Sequence, residues 1–326
     1  MNKSLSRREF LQVSSAAAIA GAVAFSTESS MSARVAQRKP FRGTLCLFSK
    51  PVPQLNWSEL GQYAKQAGFG GIDLTVRTDG HVKPERVTID LPKAVAAIRA
   101  AGLEVPMIST ELVTADHPTA EPILKTARQL SIPYIKPGYY HYKLINVIEE
   151  RNEAGRKFRG LVELAEKHEI QVGYHNHTDY VGESIWDMES IMEPLDPRWS
   201  GYYFDFGHAV VDNGENGWKI GTNLVIPRLK MVAVKDFVWK QIGPHRWHAD
   251  TCPVGEGIAP YREFLQILSQ SNFHGPISLQ QEFPVPGIAD YQGIAVSRAT
   301  APQVMSVAKE NLDTLKSLMR EFYEDV

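Results

Sequence analysis

From Gly43 onward the chain alternates short apolar runs with longer amphipathic ones, and it does so eight times. The short runs are "GTLCLFS" (43–49), "GIDLTV" (71–76), "EVPMISTEL" (104–112), "YIKPGYY" (134–140), "IQVGYHNH" (170–177), "WSGYYFDFGHA" (199–209), "KMVAVKDF" (230–237) and "GPISLQQEF" (275–283). Near-continuous apolar runs of this length predict strands buried on both faces. "YIKPGYY" is the weakest of them, because Pro137 cannot donate to a sheet ladder. Between them lie segments with apolar residues at helical spacing, such as "NWSELGQYAKQAGF" (56–69) and "YREFLQILSQSN" (261–272). A short helical segment is expected near Trp218 to Leu229, and an irregular stretch from Val238 to Ala259. Eight strand–helix units with no break in composition predict an α/β fold, a closed (β/α)8 TIM barrel in a single domain. No GxGxxG follows the first strand and no Walker-type loop occurs, which argues against an open dinucleotide-binding sheet.

Residues 1–35 read differently. "MNKSLSRREFLQVSSAAAIAGAVAF" has a basic start and then an alanine-rich apolar run that is too short to span a bilayer comfortably. Arg7 and Arg8 sit in "SRREFLQ", which resembles a twin-arginine (Tat) export signal with Gln12 where lysine is usual. The expectation is a signal peptide and linker over 1–35, a barrel over 36–326, and a periplasmic or otherwise exported product without stable membrane insertion. Cleavage after Ala24 or nearer Ala33 fits equally well.

The formal net charge is -2, so there is no basic excess to neutralise a phosphate backbone, and nucleic acid is not an expected partner. Two cysteines, Cys46 and Cys252, form neither a disulfide framework nor a CxxC metal site. The sequence leaves homo-oligomer formation open.

In such a barrel the active site lies at the C-terminal ends of the strands, and side chains alternate between the barrel interior and the helix layer. Apolar parity predicts Ser278, Gln280 and Glu282 inward on the last strand. It puts Tyr203 and Asp205 inward on the sixth, and Ala233 and Lys235 on the seventh. On the fifth it gives Gly173, His175 and His177, and on the third Met107, Ser109 and Glu111. One mouth should therefore collect Glu111, His175, His177, Asp205, Lys235 and Glu282. Imidazoles and carboxylates from separate strands suit a divalent metal such as Mn, Co, Zn, Fe or Ni. Such an ion would bind adjacent sugar oxygens and stabilise an enediolate while an acid–base group moves a proton.

The order "GIDL", "GYHNH", "FDFGHA", "VKDF", "GEG", "GPISLQQEF" resembles the xylose isomerase-like barrels of the sugar phosphate isomerase/epimerase group, over about Phe41 to Tyr323. The resemblance implies a metal held by Glu, Asp, His and Glu from four strands, with the glutamates shuttling a proton. Carried over, Asp205 matches the aspartate ligand, His208 the substrate-contacting histidine of "DxGH", and Glu282 the last glutamate, with Gln280 a close competitor. The chain departs from the pattern twice. His175 stands where the fifth-strand glutamate belongs, and the seventh strand has no histidine. The implied metal set is His175, Asp205 and Glu282, completed by His177, Glu111, His245 or His248. The implied catalytic set is Glu282, His208, Lys235 and Glu111. The implied activity is a sugar isomerase or epimerase on a small carbohydrate carbonyl compound. A lyase or hydratase needs only one base and is the runner-up. A sugar-binding barrel without catalysis is a third reading, and the charge balance argues against a metal nuclease.

Overall fold

The computed structural model describes residues 38–326. The arginine pair and the apolar run after it lie outside the described residues. Eight parallel strands close into a barrel: β1 Leu45–Phe48, β2 Gly71–Val76, β3 Glu104–Thr110, β4 Tyr134–Lys136, β5 Gln171–His175, β6 Ser200–Asp205, β7 Leu229–Val234 and β8 Ile277–Leu279. Closure comes from β8, which pairs with β1 on one side and β7 on the other. The helices are α1 Trp57–Ala67, α2 Val87–Ala100, α3 Ala120–Gln129, α4 Val147–Lys167, α5 Ile185–Met192, α6 Phe206–Val225, α7 Tyr261–Gln270 and α8 Ala301–Met319. Local chemistry starts and stops them. Asn56 and Glu59 form a capping box at α1, and Gly68 in the left-handed region ends it.

The larger apolar cluster lies between the strands and the helix layer. A smaller one fills the barrel interior: Met107, Tyr203, Met231 and Ala233, with Tyr134 against it. A Cβ on Gly173 would sit 2.2 Å from Met231 Cε, so any larger residue there would require the methionine end to move. The inward parity read from the apolar pattern matches these positions.

Two elements differ from the expectation. The sixth strand ends at Asp205, not at Ala209, because Asp205 caps a helix: its Oδ1 accepts the His208 backbone N–H at 3.0 Å. Helix α6 therefore starts inside "DFGH" and runs through the segment near Trp218, with a kink at Gly214 (φ 69°). The stretch 238–259 is also more ordered than expected. Asp236–Gly243 pairs antiparallel with Arg246–Cys252 in a hairpin. Most of its residues are exposed on both faces, so it has no apolar alternation to read. Its base is tied by the Asp236 carboxylate, which accepts backbone N–H groups from Phe237, Gly255, Gly257 and Ala259 at 2.9–3.1 Å. Both cysteines are free thiols. Among the described residues no helix is long and apolar enough to cross a membrane.

Candidate active site

The C-terminal strand ends open into a cavity of about 630 Å³. Its wall takes Lys50 after β1, Arg77 after β2, Tyr139 after β4, His175 and His177 at β5, His208 after β6, Lys235 after β7, and Gln280 and Glu282 after β8. The hairpin adds residues 248–251 from one side. Phe48, Tyr139, Tyr180, Phe237 and Tyr291 supply aromatic surface of the kind that packs on a sugar face.

Beneath the cavity the carboxylate of Asp73 accepts hydrogen bonds from Ser109 Oγ, Ser278 Oγ and Tyr203 Oη at 2.8–2.9 Å. Tyr203 Oη in turn accepts from Gln280 Nε2 at 2.8 Å. This layer joins four strands and forms the floor. Gln280 belongs to it, so it is a structural amide with no proton to exchange. Burial pushes the Asp73 carboxyl up.

At the centre is Lys235. Its Nζ lies 2.7 Å from Glu282 Oε2, 3.3 Å from Asp205 Oδ2 and 3.4 Å from His208 Nε2. Lys50 Nζ lies 2.6 Å from the other Glu282 oxygen. Burial works to raise the Glu282 carboxyl, but Lys235 and Lys50 outweigh it and hold it well below the usual carboxylate range. Burial likewise opposes ionisation of Asp205, and Lys235 and the neighbouring histidines overcome it, keeping that carboxyl low. Burial favours the neutral amine of Lys235, yet the two carboxylates raise its pKa, so it stays an ammonium.

The three histidines have distinct tautomers, set by their partners. His175 Nε2–H donates to Asp205 Oδ2 at 3.0 Å, and its Nδ1 accepts from Tyr139 Oη at 2.8 Å. Thr178 Oγ1–H donates to Asp212 Oδ1 at 2.8 Å, so it accepts from His208 Nδ1–H at 2.9 Å, leaving His208 Nε2 toward Lys235. His177 Nδ1–H donates to the Thr178 carbonyl at 2.9 Å. Its Nε2 therefore carries a lone pair and has no protein hydrogen-bond partner in the structure. Burial brings His175 down to about 3 and His177 down to about 4, so both rings are neutral at neutral pH.

The fold thus brings together His175, His177, Asp205, His208, Lys235 and Glu282. Glu111 is not among the cavity-lining residues. It is exposed, and its Oε2 accepts the Thr78 N–H and hydroxyl at 3.1 Å. His245 is exposed on the hairpin, whereas His248 lines the cavity rim. Of the connecting tryptophans, Trp218 is buried edge-on against Phe206, and Trp239 and Trp247 are exposed on the hairpin outside the cavity wall. Lys50, Arg77 and Tyr139 were not foreseen: Lys50 and Arg77 follow their strands' readable runs, and Tyr139 lies beyond Pro137 in the weakest run, past the end of β4. Nor was Lys136, buried with its Nζ 3.4 Å above the Tyr139 ring. Its signal is positional: it pairs with Ser109, whose side chain points inward to Asp73.

The metal set His175, Asp205, Glu282 and His177 requires a correction. Asp205 Oδ2 is taken by His175 and Lys235, and its Oδ1 by the helix N-terminus. Both Glu282 oxygens carry lysines. His177 turns its Nδ1 to a carbonyl. A fixed ammonium stands between the carboxylates, and a divalent ion a few ångströms from it would be repelled. Among the described residues no group of three or more His, Cys, Asp or Glu is placed to hold a metal ion. The residues present do not fit one.

Similarity to known proteins agrees with this architecture. Curated inosose dehydratases, among them one from Bacillus anthracis (strain CDC 684 / NRRL 3495), are 26% identical over 145 residues, which is 41% of this chain and 48% of theirs. The chain matches only about half the length of these curated relatives. A D-allulose 3-epimerase from Methylomonas sp. superposes with a TM-score of 0.61 at 15% identity, covering 86% of this chain and 99% of that one. A xylose isomerase-like TIM barrel protein from Mycobacterium smegmatis, in complex with magnesium, gives a TM-score of 0.56 at 15% identity over 81% and 89%. At such identities the structural likeness concerns the fold. The family described as xylose isomerase-like TIM barrel matches residues 62–299, well over half of the sequence, and the chain belongs to that family.

Proposed function

We propose that this protein is a carbohydrate-modifying enzyme that removes the proton on the carbon next to a sugar carbonyl and then eliminates water. The observation that carries this reading is His177. It is the neutral imidazole at the mouth whose basic nitrogen is unengaged, in a cavity whose carboxylates are held by ammonium groups. A one-base elimination needs no more. The C–H bond breaks to His177 Nε2, and the electron pair moves onto the carbonyl oxygen beside Lys235. The β C–O bond then breaks as the enolate collapses to the unsaturated ketone. The imidazolium returns the same proton to the departing hydroxide, which leaves as water. The curated relatives are dehydratases by name, which supports this outcome.

Isomerisation or epimerisation is the second reading, favoured by Glu282. Its carboxylate lines the same cavity, and the Lys50 side chain that holds it is 26% exposed. A substrate that drew Lys50 away would free a second base. The substrate class in both readings is a small keto-sugar or keto-glycoside, and the N-terminal arginine pair supports action after export.

The test is proton NMR of the protein with a panel of keto-sugars and inososes in deuterated water. Loss of the α C–H signal with appearance of an unsaturated ketone is expected. Deuterium at a carbon of inverted configuration, with no elimination, would select the second reading. Binding without exchange or turnover would leave a sugar-binding barrel.

A further inference from the structure

We propose that Lys235 is a built-in cation: its ammonium occupies the point between Asp205 and Glu282 that a divalent ion would otherwise take, so the site works without metal. The geometry comes from three strands. Lys235 leaves β7 and reaches Glu282 after β8 and Asp205 at the end of β6, at 2.7 and 3.3 Å. It is 3% exposed and lines the cavity, and Asp205 is fully buried. Two carboxylates at one point, Asp205 fully buried and Glu282 15% exposed, would repel each other if left uncompensated. One positive charge between them removes that repulsion.

The backbone around Lys235 is fixed too. Its carbonyl accepts the Tyr261 hydroxyl from α7, so the strand end is tied to the helix layer. Two of its three N–H protons go to the carboxylates. The third points to His208 Nε2 at 3.4 Å, the longest of the three contacts, and is free to donate a hydrogen bond to a substrate oxygen instead. The ammonium thus supplies a fixed positive charge for a developing oxyanion and needs no coordination sphere. The proposal concerns the site, and it stands or falls separately from the reaction assigned above.

It makes an uncommon demand: removing one lysine should create a metal site. In Lys235→Ala, the Asp205 and Glu282 carboxylates would face a vacated cationic position, and two carboxylate oxygens completed by solvent suit Mn²⁺ or Co²⁺. The experiment is calorimetric titration of manganese chloride and cobalt chloride into the wild-type protein and Lys235→Ala, each with a counterpart also carrying Asp205→Asn as a control. Only binding abolished by Asp205→Asn is counted, which removes surface histidines from the readout.

The wild type is expected to show no such site and to keep its thermal midpoint in chelator. Lys235→Ala should bind one ion at least 100-fold more tightly. Lys235→Met, which preserves much of the side-chain volume, should show the same gain and serves if the alanine variant does not fold. A stoichiometric, Asp205-dependent ion in the wild type would overturn the proposal. So would the absence of any gain in both folded lysine variants. Neither result depends on knowing the substrate.

Discussion

His177 and Asp212 carry the most direct tests at the scale of single residues. His177→Gln keeps a donor for the Thr178 carbonyl but removes the base. It should lower kcat by about 10²–10⁴ with the fold intact, since that is the usual contribution of one acid–base group. Single-turnover deuterium exchange at the α carbon checks it, and unchanged exchange would remove His177 from the chemistry. Burial pushes the Asp212 carboxyl up to about 7, and its Oδ2 is buried without a hydrogen-bond partner. The folded state therefore holds a proton that the unfolded chain releases near pH ~4. Asp212 thus disfavours folding progressively as pH rises from about 4 to 7, and the effect is flat above that. Buried neutral histidines pull the opposite way over the same range, so the informative quantity is a difference. The thermal midpoint of Asp212→Asn minus that of the wild type should grow between pH 4.5 and 7.5, and a constant difference would contradict the assignment. His175, His177, Asp205, Lys235 and Glu282 were legible as inward residues, because parity along a strand is local, whereas His208 was expected only from the resemblance of its DxGH element. The tautomers were not legible, because each depends on a partner brought in by the fold.

The hairpin Asp236–Cys252 is the element that most shapes access to the site. It was not legible, since its exposed faces carry neither of the periodicities that mark a barrel strand or a packed helix. Its anchor is one carboxylate accepting four backbone N–H groups. Asp236→Ala leaves those donors without an acceptor and should cost on the order of 2–4 kcal/mol. Thermolysin should then cut first between 238 and 250, and KM should rise more than kcat falls, because residues 248–251 line the cavity. Protease fragments mapping elsewhere would show that the hairpin is held by other contacts. The strand–helix boundary at Asp205 teaches a related lesson. The residue has two engagements at once: Oδ1 caps α6, and Oδ2 receives His175 and Lys235. A capping aspartate and a site aspartate are here the same group, so replacing it would disturb both.

For the whole molecule, the open question is where the barrel works. If the arginine pair is an export signal, Arg7→Lys with Arg8→Lys should retain the full chain in the cytoplasm of a host with a twin-arginine system, with barrel stability unchanged. Cell fractionation reads the outcome, and unaltered export would assign the route to another signal. Eight repeats of apolar run and amphipathic segment, and the inward parity within five of the runs, were determined by the sequence alone. Both are local: burial on two faces and helical spacing appear within windows of about 5–20 residues. Tertiary structure decided which inward groups meet. Lys235 lies 30 positions from Asp205 and 47 from Glu282 along the chain, yet it bridges them. Glu111 has the same inward parity as Ser109 but turns to Thr78. Those outcomes follow from strand stagger, barrel closure and side-chain reach, quantities that exist only once β8 has paired with both β7 and β1.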